Sequence, residues 1–221
     1  MSATLSAPVE PESYMLLGEI AFENKALIIG KSACEIVIWL CQLKENNNKK
    51  ELLDKAKNLL VQIKEKIKNK EYDSSQNGFW GNKNPDKFWI LEKLSFQGKT
   101  EDLKELSFIL LDIFVEDIKN YEIVYKALVL IDEREAFNKF INCIENNLKM
   151  DDLNRNLFLG MTCYHFSDFS ASKDYLKGVL KVSPINSKAM FYMALNHLMT
   201  NNVKDFIKTS EMILPESDPA L

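Results

Sequence analysis

Apolar positions along this chain recur at helical steps and do not alternate. The clearest case is KKELLDKAKNLLVQIKEKIKNK, where Leu52, Leu53, Ala56, Leu59, Leu60, Ile63 and Ile67 share one side of a helix turning about 100° per residue. Helices are also predicted from about Glu12 to Asn24 and from about Leu27 to Lys44, with the run ENNNKK as a break. EYDSSQNGFWGNKNPD, from Glu71 to Asp86, is turn chemistry and predicts a long loop. From Lys87 onward helix-length apolar patterns alternate with short breaks, the last running from about Val203 to Leu214. The predicted division is a disordered lead at 1–11, N-terminal helices at 12–70, the loop at 71–86, a helical array at 87–214 and an acidic tail at 215–221. Only 7 glycines and 6 prolines occur in 221 residues, too few for the turns of a strand-rich fold, so the expected class is all-α.

The breaks recur. In FLGMTCYHFSDFSASKDYLKGVLKVSP the residues that matter are Leu159, Gly160, Ser172, Leu176, Val179, Leu180 and Pro184. Related sets are Ala127, Ala136, Phe140, Cys143 and Ile144 before it, Ile90, Leu94, Gly98, Leu110 and Leu111 earlier still, and Met193, Ala194, Ile213 and Leu214 after it. The units start near Asn84, Asp117, Leu153 and Ser187, at spacings of 33, 36 and 34 residues. This pattern resembles the tetratricopeptide repeat, a helix–turn–helix unit of about 34 residues. The best-matched unit is about residues 153–186. There the resemblance implies that small residues at Gly160 and Ser172 let two helices approach while larger ones fill the gap, and that Pro184 ends the second helix. The neighbours depart from the pattern: Val124 stands where glycine is expected, and Phe206 where alanine is. Leu17-Gly18 hints at one more unit near the N-terminus.

The resemblance implies a right-handed superhelical array of antiparallel helix pairs, a tetratricopeptide-like α-solenoid with additional N-terminal helices. It further implies a concave groove lined by the first helix of each pair. The groove residues carried over are Phe88, Tyr121, Tyr125, Leu157, Met161, Tyr164, His165, Phe191 and Leu195. The Lys and Asn that form a carboxylate clamp in many family members are missing from these positions. The expected function is a non-catalytic protein–protein interaction module (adaptor, scaffold or chaperone-like) that holds an apolar or amphipathic segment of a protein or peptide partner. The competing expectation for the groove is that the chain's own N-terminal helices fill it. The terminal helix carries Phe206 and Ile207, with little chain beyond it to cover them. They are expected to form a second contact surface, for self-association or for a partner.

Charge and composition narrow this further. A net charge of −4 argues against nucleic acid as partner. The first residues lack the basic region and apolar core of a signal peptide, and the longest apolar stretch, around Ile36 to Cys41, is too short to span a bilayer. A cytoplasmic protein is expected, and Cys34, Cys41, Cys143 and Cys163 then read as reduced, buried hydrophobes. Gly30-Lys31-Ser32 resembles the end of a phosphate-binding loop, but Lys25 stands where that loop needs glycine. Cys163 and His165 are two residues apart without the close ligand pairs of a zinc site. No HExxH or GxSxG motif occurs. No metal, cofactor or catalysis is therefore expected. The alternative is an enzyme or regulatory domain on degenerate helical repeats that uses Cys163 and His165. Lys44 to Lys70 holds nine lysines against four acids. It reads as a solvated helix face, or as one that touches an acidic surface.

Overall fold

The computed structural model describes residues 10–43, 49–69 and 87–213. The predicted lead up to residue 9, the 71–86 loop and the acidic tail lie outside them. The described residues form eleven helices and no strand. In chain order they are α1 (Pro11–Glu23), α2 (Leu27–Leu40), α3 (Lys50–Lys68), α4 (Lys87–Phe96), α5 (Thr100–Ile113), α6 (Ile118–Ile131), α7 (Arg134–Asn146), α8 (Asp152–His165), α9 (Phe169–Val182), α10 (Ser187–Met199) and α11 (Val203–Ile213). They group into two compact units, Met1–Ile113 and Phe114–Leu221.

In the first unit α2 is the centre. Leu27, Ile29, Ala33, Cys34, Ile36, Val37, Trp39 and Leu40 are all buried, which is why its apolar residues run almost all round the helix. α1, α3 and α5 pack on it. α3 contributes its apolar stripe through Ala56, Leu59, Leu60 and Ile63. Trp39 donates its indole N–H to the Leu106 carbonyl of α5 at 2.8 Å. That bond lets a large aromatic be buried without leaving its donor unsatisfied. α1 meets α2 at glycines. A β-carbon on Gly18 would lie 3.2 Å from Cys34 Sγ, and one on Gly30 would lie 3.1 Å from Ile63 Cδ1. Gly30-Lys31-Ser32 is therefore part of a helix, and its glycine makes a close helix contact. Pro11 opens α1, where its fixed φ and missing N–H suit the first turn.

Helix pairs close in one recurring way. At the end of α4 the N–H of Lys99 reaches the carbonyl of Leu94 at 2.9 Å and that of Gly98 reaches Ser95 at 3.0 Å, with Gly98 in the left-handed region. At the end of α8 the pairs are Asp168 to Cys163 and Ser167 to Tyr164, both 2.9 Å. At the end of α10 they are Asn202 to His197 at 2.8 Å and Asn201 to Leu198 at 3.0 Å. This is the Schellman arrangement, in which two amides of the turn satisfy carbonyls the helix would leave orphaned. The left-handed residues Gly98, Asp132, Ser167 and Asn201 stand 34, 35 and 34 residues apart. Asp132 is the simpler variant, with one amide bond to Leu128. The end of α1 has the full motif too, Ala26 to Ala21 at 2.8 Å and Lys25 to Phe22 at 3.1 Å, with Lys25 left-handed. Gly18 precedes Lys25 by seven residues, as Gly160 precedes Ser167.

In the second unit each helix packs on the next, and α6, α8 and α10 also touch in that order. Polar side chains cap the starts of α8, α9 and α10. Asp151 accepts from Asn154 N at 2.7 Å, Asp168 from Ala171 N at 3.1 Å and Asn186 from Ala189 N at 2.9 Å. Each such cap contributes about 1 kcal/mol. The core is aromatic at one end, with Tyr121, Phe140 and Phe158 in mutual ring contact at 5.9–6.3 Å. A buried polar chain crosses the other end. Asn196 Nδ2 donates to Ser172 Oγ at 2.8 Å, and Ser172 Oγ donates to the Gly160 carbonyl at 2.7 Å. It ties α10 to α9 and α9 to α8.

Candidate functional site

The predicted groove residues divide by burial. Phe88 lies in the first unit, half-buried on α4. The other eight belong to α6, α8 and α10 of the second unit. Tyr121, Tyr125, Leu157 and Met161 are buried, at 1%, 4%, 6% and 4% exposure. Tyr164, His165 and Leu195 are half-buried, and Phe191 is 48% exposed. The residues expected to present an aromatic surface on α6 are thus core residues. The reason is geometric: α6, α8 and α10 approach closely enough for the tyrosines to bridge them.

The bridging is specific. Tyr125 Oη donates to the Met161 carbonyl of α8 at 3.2 Å, and the Tyr192 phenol of α10 lies near it. Tyr192 stacks edge-on to Tyr164 at 5.5 Å. Burial pushes both the Tyr125 and the Tyr192 phenols above their ordinary value. Glu122, one turn before Lys126 on α6, accepts from Lys126 at 3.0 Å and from Lys188 of α10. Its partial burial acts to raise the carboxyl, and the bonds from Lys188 and Lys126 outweigh that and hold it below the usual range. Tyr121 is held by Asn147, whose Nδ2 donates to the Tyr121 hydroxyl at 2.7 Å and to the Val115 carbonyl at 3.1 Å.

Cys163 and His165 have different surroundings. His165 Nε2 lies 2.8 Å from Asp132 Oδ1, and its ring stacks on Phe137 at 4.6 Å. Residues two apart on a helix point to different sides, so the pair does not converge. Burial pushes the Cys163 thiol up, with Asp168 adding to it, which disfavours the nucleophilic thiolate. Cys34 is pushed up to about 12 by burial, with Glu35 and Glu19 adding. No disulfide joins the four cysteines. Among the described residues no three His, Cys, Asp or Glu side chains cluster as metal ligands, and no helix is long and apolar enough to cross a membrane.

What the second unit leaves open is its C-terminal end. α11 has no buried residue. Phe206 is half-buried and Ile207 is 50% exposed. Val203 at 58%, Leu198 at 45% and Met199 at 55% add to Phe191. From Ala189 to Met199 the chain carries no Asp, Glu, Lys or Arg. Sequence reasoning picked out Phe191 and Ile207 but passed over the polar residues that organise the unit, Glu122, Asn147, Tyr192 and Asn196. Only Asn196 had a local signal, an asparagine inside an otherwise apolar helix. No family model matches this chain, and no curated protein matches it.

Proposed function

We propose that the chain is a non-catalytic protein-interaction module of the tetratricopeptide type, serving as an adaptor, scaffold or chaperone-like holder in the cytoplasm. The observation that carries this reading is the recurring hairpin closure. The left-handed residue returns every 34 or 35 residues, and a glycine crossing sits seven residues before it in the best-matched pair. The α1–α2 pair closes with the same turn at the same seven-residue distance from a glycine, which supports reading it as a further unit. Such pairs stack because a single pair cannot bury its own apolar face. In this reading the buried tyrosines of α6 with Leu157 and Met161 of α8 are the frame, and the contact surface is the exposed apolar face of α10 with the adjoining part of α11. Phe191, Leu195, Leu198 and Ile207 would meet an apolar or amphipathic segment of a partner, since exposed apolar side chains beside an uncharged helix suit such a contact.

The test is site-specific photo-crosslinking in the native cell. A photo-reactive residue at Phe191 is expected to capture a defined protein that the same residue at Lys139, on α7, does not capture. Phe191→Glu is expected to abolish the adduct formed from a photo-reactive residue at Leu198 without lowering the melting temperature. No adduct from Phe191 or Leu198, or adducts identical to those from Lys139, would sink the proposal.

A further inference from the structure

α3 is an amphipathic helix whose inner stripe repeats every seven residues, with Leu53, Leu60 and Ile67 in one row and Ala56 and Ile63 between them. The lysines follow the same period. Lys50, Lys57 and Lys64 stand seven apart, about 10.5 Å along the axis, and Lys68 lies one turn further. All four fall within a sector of about 40°, beside the apolar stripe. In a helix pair this is the flanking position, where charged residues face charges of the neighbouring helix. On the opposite flank the neighbour is present. Lys55 pairs with Glu19 of α1, and Lys66 sits over the Phe22 ring at 5.3 Å. Lys49, at the start of the helix, pairs with Glu12 at 2.9 Å.

The outer four differ. Lys50, Lys57, Lys64 and Lys68 are all exposed and form no ion pair among the described residues. The acids of the same helix, Glu51, Asp54 and Glu65, are exposed as well and form no ion pair with these lysines among the described residues. The result is a linear row of four cations about 27 Å long on a chain whose net charge is −4.

From this row we infer that the outer flank of α3 is a docking surface for a helix of another protein that carries acidic residues at seven-residue spacing. The period favours a helix over a bilayer. A membrane surface has no seven-residue repeat, and the only large apolar side chain of α3 that is well exposed is Val61, at 57%, with no aromatic on the helix to enter the headgroup region. A helix with acids at the period of the row can meet its cations one by one, which a diffuse anionic surface does not. This site lies in the first unit and is independent of the α10 face.

The experiment uses the full chain and two labelled helical peptides, one with glutamate at every seventh position and one with glutamine there, followed by fluorescence anisotropy. Tighter binding of the glutamate peptide by about tenfold is expected, weakening as salt is raised. Lys50→Gln/Lys57→Gln/Lys64→Gln/Lys68→Gln, with helical content checked by circular dichroism, is expected to remove that preference. Lys177→Gln/Lys181→Gln/Lys204→Gln/Lys208→Gln, with the same change in net charge, is expected to keep it. Equal binding of the two peptides, no binding of either, or equal loss in both variants would overturn the inference. So would retention of the protein on phosphatidylserine vesicles through the same four lysines with no binding of the glutamate peptide.

Discussion

Gly160 and Leu176 touch so closely that a β-carbon on Gly160 would lie 2.9 Å from both Cγ and Cδ2 of Leu176. Leu176 is fully buried and cannot swing away, and the Ser172 carbonyl stands 3.4 Å off on the same side. The glycine therefore sets how near α8 and α9 lie. Gly160→Ala is expected to destabilise the protein by about 1–2 kcal/mol, the overpacking exceeding a helix-propensity gain of up to about 1 kcal/mol. Gly160→Leu is expected to cost more. Urea denaturation of the two variants checks this, and a midpoint equal to or above the parent's would contradict it.

Tyr125 separates framework from surface. Tyr125→Phe removes the hydroxyl that donates to the Met161 carbonyl, at an expected cost of about 1 kcal/mol. Tyr125→Ala also removes a ring that packs on Phe137 at 6.0 Å and on Phe140 at 6.3 Å, and is expected to cost about 3–5 kcal/mol. Thermal melts that place Tyr125→Ala within error of the parent would mean that this side chain is not part of the frame.

Ser167 holds φ at 62°, in the turn between α8 and α9, where Gly98 occupies the equivalent place between α4 and α5. A residue with a β-carbon is strained there by about 1–2 kcal/mol, and glycine removes the strain while adding freedom to the unfolded chain. Ser167→Gly is expected to raise stability by up to about 1 kcal/mol. Asp132→Gly offers the contrast. It relieves similar strain but loses the carboxylate that meets His165, so a smaller gain or a loss is expected. Differential scanning calorimetry of both variants distinguishes the two sites.

His197 supplies a pH dependence. Burial holds its imidazole below the ordinary value, with Asp205 opposing and Lys173 and Lys177 adding, and its Nδ1 is buried without a hydrogen-bond partner. The unfolded chain therefore takes up this proton more readily than the folded one. The stability tied to it is fully present above the unfolded value of about 6.5 and is lost as the pH falls from there toward the folded value. His197→Gln is expected to flatten the fall of the urea midpoint between about pH 7.5 and about pH 5.5. Parallel curves for variant and parent across that range would remove His197 as the cause.

The helices themselves were legible in the sequence because their signals are local. Apolar residues at helical steps and the scarcity of glycine and proline are signals of this kind, and the bounds of α1, α2 and α11 follow the predicted ones within a few residues. α2 ends at Leu40 where Lys44 was expected, since the turn at Cys41 to Leu43 is itself buried and carries the same apolar pattern. The contact glycine at Gly160 was expected too, from the resemblance of this stretch to a tetratricopeptide unit. What only the tertiary structure decided is which side of each helix is covered. Tyr121 and Tyr125 are amphipathic rings that suit a solvent groove or a core equally well, and their burial depends on Phe140 of α7 and on Phe158 and Met161 of α8, 15 to 37 residues along the chain. The same holds for the lysines of α3. Their seven-residue row is written in the sequence, but that Lys49, Lys55 and Lys66 are engaged while Lys50, Lys57, Lys64 and Lys68 stand exposed follows from the position of α1, which no local pattern encodes.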